Sequence, residues 1–274
     1  MKTTLVIAFL FSLFVTADAA QMDYTYKPGE FLVIKAGESP DKKFCIVAGK
    51  NEAGEFGVYL MDRQTKKVLG ELKEVETSWD TAPEAYGARW SPDSKHVGIT
   101  SRGDRRWVIN VIYRIDNQRA FLVETPKLLC HAVPDFCGLM KELGGALMLF
   151  YPSSEQQRQS YEMHTNDDVD VPWKVRQMSS HSWIVKWTSP TRFTVGEEAD
   201  FQVKDRDPAA SLGKYGEVEK FARKIDDPVH PEDLGNNDLY QVSFEAEGEC
   251  ELLPGDKSRV LKTQSVDREK SKEN

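Results

Sequence analysis

The residues able to do chemistry are scattered along this chain. Its five histidines, His96, His131, His164, His181 and His230, fall in no HExxH or other metal-ligand spacing. His96 stands in an alternating stretch, at a position expected to face solvent. There is no Gly-x-Ser-x-Gly elbow, GxGxxG turn or phosphate loop, so serine hydrolysis and dinucleotide binding have no sequence support. The densest carboxylate run is His164-Thr165-Asn166-Asp167-Asp168-Val169-Asp170. Its oxygens could ligate a hard cation, but it lacks the glycine and distal glutamate of an EF-hand loop and reads as a solvated acidic loop. No catalytic residue, metal or cofactor is assigned.

Candidates for binding are clearer. Ser101-Arg102-Gly103-Asp104-Arg105-Arg106 is a basic turn, and Arg102, Arg105 and Arg106 offer guanidinium forks to an acidic partner; a plain exposed loop is the competing reading. Of the six tryptophans, Trp90, Trp107 and Trp187 lie in strand-like patterns and fill gaps between sheets. Trp79 and Trp173 lie in loop-like surroundings and are candidates to anchor a partner or stack on a glycan. Four cysteines allow three pairings. Cys130 and Cys137 flank the turn signal Val133-Pro134-Asp135 and are read as a local disulfide, with Cys45 a buried thiol or a partner for Cys250. No CxxC pair supports zinc.

Met1-Lys2, an apolar run from Leu5 to Val15 and the small-x-small Ala17-Asp18-Ala19 have the layout of a signal peptide cleaved near Ala19. The apolar run is short of the roughly 20 residues that span a bilayer, so no stable membrane insertion is expected after cleavage. The mature chain is expected to be secreted or periplasmic. A net charge of −8 disfavours nucleic acid and anionic lipid as partners.

The elements that must carry these residues are organised around Trp90-Ser91-Pro92-Asp93-Ser94-Lys95-His96-Val97-Gly98-Ile99-Thr100. Pro92 presets φ for a type I turn, Ser91 and Asp93 can bond neighbouring backbone, and Val97 and Ile99 then alternate as in a half-buried strand. Ser39-Pro40-Asp41-Lys42-Lys43-Phe44-Cys45-Ile46-Val47 is the same unit, with Asp41 and Asp93 52 residues apart. Similar strands follow each copy: Gly57 to Asp62 and Val68 to Leu72 after the first, Trp107 to Arg114 and Ala120 to Val123 after the second. A weaker third copy starts at Trp187-Thr188-Ser189-Pro190-Thr191, with a shorter turn. Its later strands are expected at Leu239–Phe244 and Glu249–Leu253, split by a turn at Glu247-Gly248. Phe31-Leu32-Val33-Ile34 is expected as an N-terminal closing strand, and Gly145 to Tyr151 as a strand of a degenerate copy. Repetition at about 40–50 residues signals propeller blades.

Trp90-Ser91-Pro92-Asp93 with Lys95-x-Val97-x-Ile99 resembles the blade motif of TolB-type β-propellers and their WD-repeat-like relatives. The resemblance covers Ser39 to Val123 well and Trp187 to Leu253 poorly. It implies a propeller or part of one, a fold that mostly scaffolds recognition. Three copies fall short of the four blades that close a ring, so a hidden blade, a dimer and an open sheet sandwich all remain as ways to finish the fold.

The expected fold is all-β and mainly antiparallel: propeller-like blades of four-stranded meanders with short helical inserts. After a signal peptide over 1–19, the repeat domain spans 20–254, with repeats near 39–73, 91–124 and 187–253. Helical inserts fall near 135–143 and 209–224, and a disordered polar tail covers 255–274. The expected function is a non-enzymatic binding or assembly module of the cell envelope that recognises another envelope protein. The alternative is a hydrolase or carbohydrate-binding protein acting on envelope or extracellular polymer. Self-association is expected if the propeller is incomplete.

Overall fold

Ser39-Pro40-Asp41 and Ser91-Pro92-Asp93 build one and the same turn. Each serine hydroxyl donates to the aspartate two residues on, at 2.8 and 2.7 Å, and accepts the N–H of Phe44 or His96, at 3.0 and 2.9 Å. The next residue, Lys42 or Ser94, takes a left-handed φ of 60° in both copies. In a computed structural model, which describes residues 23–102, 107–133, 136–137, 175–205, 222–224 and 238–265, these turns join the first two strands of two successive meanders.

The first meander runs β1 (Phe31–Glu38), β2 (Phe44–Lys50), β3 (Phe56–Asp62) and β4 (Val68–Glu71), each antiparallel to the next. The second repeats it with β5 (Tyr86–Trp90), β6 (His96–Arg102), β7 (Trp107–Asp116) and β8 (Arg119–Val123). The third has β9 (Val175–Trp187), β10 (Arg192–Asp205), β12 (Asp238–Leu253) and β13 (Lys257–Ser265), with β11 (Ala222–Lys224) added alongside β12. Two short parallel contacts link the meanders: Lys35 opposite Gly87, and Trp107-Val108 opposite Ser180-His181. The described strands thus form one large mixed sheet, running from β11 to β4 without closing into a barrel. The chain is all-β and mainly antiparallel.

Several expectations need correction. Phe31-Leu32-Val33-Ile34 is the first half of the longer β1, which is the first strand of its own meander and lies between β2 and β5 rather than closing an edge. Leu239–Phe244 and Glu249–Leu253 are one 16-residue strand, β12, with no turn at Glu247-Gly248. Gly248 is there because the helix α1 (Leu128–Ala132) crosses it: a Cβ would lie 2.3 Å from Leu128 Cδ1. Residues 257–265 of the supposed tail form β13, which pairs with β12 from Ala246 to Leu253. Ala222–Lys224, the end of the expected helix near 209–224, is a strand because it finds partners at Tyr240 to Val242. Within the expected helix near 135–143, Phe136 and Cys137 are helical, but the regular helix α1 precedes it. The rest of both inserts, the strand expected from Gly145, the signal segment and residues 266–274 lie outside the described residues.

The cores follow from strand alternation. On β2, Ile46 and Ala48 face the second meander, while Cys45 and Val47 turn to the opposite side with Tyr59 and Met61. On β6, Val97 and Ile99 meet Ile46, Leu60 and Tyr86 in the core between the first two meanders. Gly98 on the other face meets the third meander, where a Cβ would sit 2.0 Å from Ile184 Cδ1. In the third meander Phe193, Val195, Phe201 and Val203 alternate into a core with Val242, Phe244, Ala246 and Cys250, capped by Leu128 and Leu129 of α1. The intervening Glu245, Glu247, Glu249 and Glu251 lie on the opposite, half-exposed face.

A tryptophan ties each meander to the one before it. Trp90 Nε1–H donates to the carbonyl of Gly37 at 3.0 Å, and Trp187 Nε1–H to that of Arg89 at 2.8 Å. Gly37 and Arg89 are equivalent positions, two residues before Ser39 and Ser91. The turns also touch, Asp41 N–H donating to Ser94 Oγ at 3.0 Å.

Cys130 and Cys137 form a disulfide, their Cα atoms 5.2 Å apart, that pins α1 to the following helical turn. For so short a loop, chain entropy gives about 2.5 kcal/mol. Replacing both cysteines by serine is expected to lower the unfolding free energy by that amount, read from urea denaturation.

Candidate functional site

The loop after β4 brings two of the sequence-predicted binding residues to one end of the sheet. Asp80, its side chain 2% exposed, takes a charge-assisted hydrogen bond from Arg102 Nε at 2.8 Å. Trp79, next to Asp80, is half-buried in a bend of the same loop. The loop is held in turn by Tyr86, whose buried hydroxyl donates to the Asp80 carbonyl, and by Glu76, which accepts the Ser78 N–H at 2.7 Å. Thr81 Oγ1 also accepts the Tyr24 N–H at 2.8 Å, fastening the N-terminal segment to this end. The Tyr86 phenol is pushed well above its ordinary range by burial, reinforced by the carboxylates of Glu76 and Asp80, so it is a donor at any physiological pH.

Arg102 is thus a fixed root of the basic turn, only 23% exposed along its side chain. On the far side of the turn, Trp107 and Val108 pair with Ser180 and His181. Both ends of the turn are anchored. Arg105, Arg106 and Trp173 lie outside the described residues, as does the His164 to Asp170 carboxylate run.

The other end of the sheet carries the Ser-Pro turns and a small cleft that sequence reasoning missed. It encloses roughly 200 Å³ between His96, Arg114, Val123 and the β12–β13 turn at Leu253 to Lys257. Arg114 forks onto Asp256, with Nη2 to Oδ2 at 3.0 Å, reaches Asp116 at 3.1 Å, and lies over the Phe121 ring at 4.5 Å. The guanidinium holds the Asp256 carboxyl below the usual range. Neither Arg114 nor Asp256 stands in a recognisable motif; the pairing of β6 with β7, which puts Arg114 opposite His96, is a signal for Arg114 alone.

His96 does not face solvent as expected. Its ring stacks on Trp187, centroids 6.0 Å apart and planes at 28°, and Nδ1 is buried without a hydrogen-bond partner. Burial lowers its pKa; Asp93 and Asp256 raise it, and Arg114 and Lys95 lower it further. Trp90 and Trp187 pack against the cores on either side of the second meander, and Trp107 is half-buried at the start of β7.

Cys45 and Cys250 are buried free thiols. Burial pushes the Cys250 thiol up to about 12, so it is a packing residue rather than a nucleophile. Among the described residues, no group of three His, Cys, Asp or Glu side chains is placed to hold a metal ion, and no helix is long and apolar enough to cross a membrane. No protein-family model, curated protein or solved structure matches the chain.

Proposed function

We propose that the chain is an exported, non-enzymatic binding or assembly module of the cell envelope, recognising a protein partner through loops of a propeller-like scaffold. The observation that supports this reading is the ion pair that fixes Arg102, at the end of β6, on the buried carboxylate of Asp80, the chain neighbour of Trp79. Arg102 held by Asp80 on one side and Trp107-Val108 paired with β9 on the other are fixed points on either side of the basic stretch, and fixed points lower the ordering cost of association. Three meanders of one plan, latched in series, supply the rigid support such fixed points need.

The test is crosslinked affinity capture with the mature chain, from residue 20, in its own envelope extract. Arg105→Glu with Arg106→Glu is the informative variant, because it leaves the Arg102–Asp80 pair in place. A stoichiometric protein partner lost in this variant, with an unchanged melting curve, is the expected result. Retention on a glycan fraction, weakened by Trp79→Ala or Trp173→Ala, overturns it in favour of carbohydrate recognition or hydrolysis.

A further inference from the structure

We propose that the joint between the second and third meanders is an acid-sensitive hinge, opened when His96 takes up a second proton. At this end the joint is made of a few polar ties, the Arg114–Asp256 fork and the Glu124 N–H to the Asp256 carbonyl at 2.8 Å, and of one aromatic contact. Trp187 reaches across it to the Arg89 carbonyl at 2.8 Å, and the His96 ring lies flat against that indole. Nδ1 of His96 is enclosed with no acceptor in reach. A neutral imidazole tolerates this, with Nδ1 as the unprotonated nitrogen. An imidazolium does not, because both nitrogens are then donors and one is left buried and unsatisfied.

The surrounding charges do not rescue the cation. Asp93 on the adjoining turn and Asp256 across the cleft favour it, but Asp256 is engaged by both arms of the Arg114 fork. Arg114 on β7 and Lys95 on the histidine's own turn oppose it, and Lys257 lines the same cleft from the β12–β13 turn. The facing group from β9 is Trp187, which carries no charge. With burial the largest influence, His96 holds its second proton less tightly in the folded chain than in the unfolded one. Stability is therefore complete above about pH 6.5, the value of an unperturbed histidine, and declines as pH falls through it.

The two buried thiols make the hinge measurable. Cys250 belongs to the core that includes Ile112 and Val123 of the second meander, whereas Cys45 lies on the far side of the first. The full mature chain is treated with 4,4′-dithiodipyridine at about pH 7.5 and about pH 5.5, a span across which only histidine ordinarily titrates. The ratio of Cys250 to Cys45 modification cancels most of the pH dependence of thiol reactivity itself. It is expected to rise several-fold at the lower pH, by up to about tenfold for each unit by which the histidine is depressed. In His96→Gln and His96→Phe the ratio is expected to stay flat. An equal rise in these variants, or a flat ratio in the unmodified chain, overturns the proposal. A His96 ring-proton titration midpoint at or above about 6.5 overturns it independently of any variant.

Discussion

Arg102→Ala is expected to cost about 3–5 kcal/mol of unfolding free energy, far more than loss of an ordinary surface arginine. The reason is the partner rather than the arginine. Asp80 is almost wholly enclosed and faces the Arg102 guanidinium at 2.8 Å, so removing the cation takes the compensating charge from a buried carboxylate. Replacing both residues, as Asp80→Asn with Arg102→Met, is expected to recover most of the loss, because the buried charge is then gone as well. Urea denaturation of the two single variants and the double variant checks this. A cost below about 1 kcal/mol for Arg102→Ala would mark the pair as a screened surface ion pair, and Arg102 would regain its place among freely presented arginines. The same result explains why Arg105 and Arg106 are the variants suited to partner binding.

Phe201→Ala is expected to cost about 3–5 kcal/mol, the range for emptying a large aromatic from a core. Phe201 is fully buried and meets Phe136 and Phe244 edge to face, at centroid distances of 6.2 and 5.8 Å, while those two meet each other at 5.4 Å. Each such pair adds about 0.5–1.5 kcal/mol beyond burial. Phe136 adjoins Cys137, so the trio is also what seats the disulfide segment on the third meander. The variant is therefore expected to lose stability and to expose the Cys130–Cys137 bond to reduction by dithiothreitol at a faster rate. Unchanged reduction kinetics in a destabilised variant would show that α1 holds the segment without the trio.

The parts of this architecture legible from the sequence are those whose hydrogen bonds are local. The turn of Ser39 and that of Ser91 close within five residues, so identical residues at identical spacing announce identical geometry. The third copy blurs because its turn is shorter: Ser189 pairs with Arg192, three residues on, where Ser91 pairs with His96. Gly248 reads as a turn, yet its cause is the side chain of Leu128, distant in sequence. The polar stretch Lys257–Ser265 reads as a tail because β13 is an edge strand, paired with β12 and largely exposed, so it needs little apolar content. His96 reads as solvent-facing because strand alternation is blind to Trp187, which covers it from the next meander. The basic turn was visible as a charge run, but its root in Asp80 depends on burial that no local pattern encodes.

Three meanders of one plan are latched in series by tryptophan side chains. Hydrogen exchange of the indole N–H groups, followed by ¹⁵N-tryptophan NMR, tests it most directly. The resonances of Trp90 and Trp187 are expected to exchange slowly, as N–H groups bonded to the Gly37 and Arg89 carbonyls should. Each should vanish singly in Trp90→Phe and Trp187→Phe, leaving the other protected. Indole protons at these two positions that exchange as fast as those of an unfolded peptide would contradict the latches, and with them the serial arrangement.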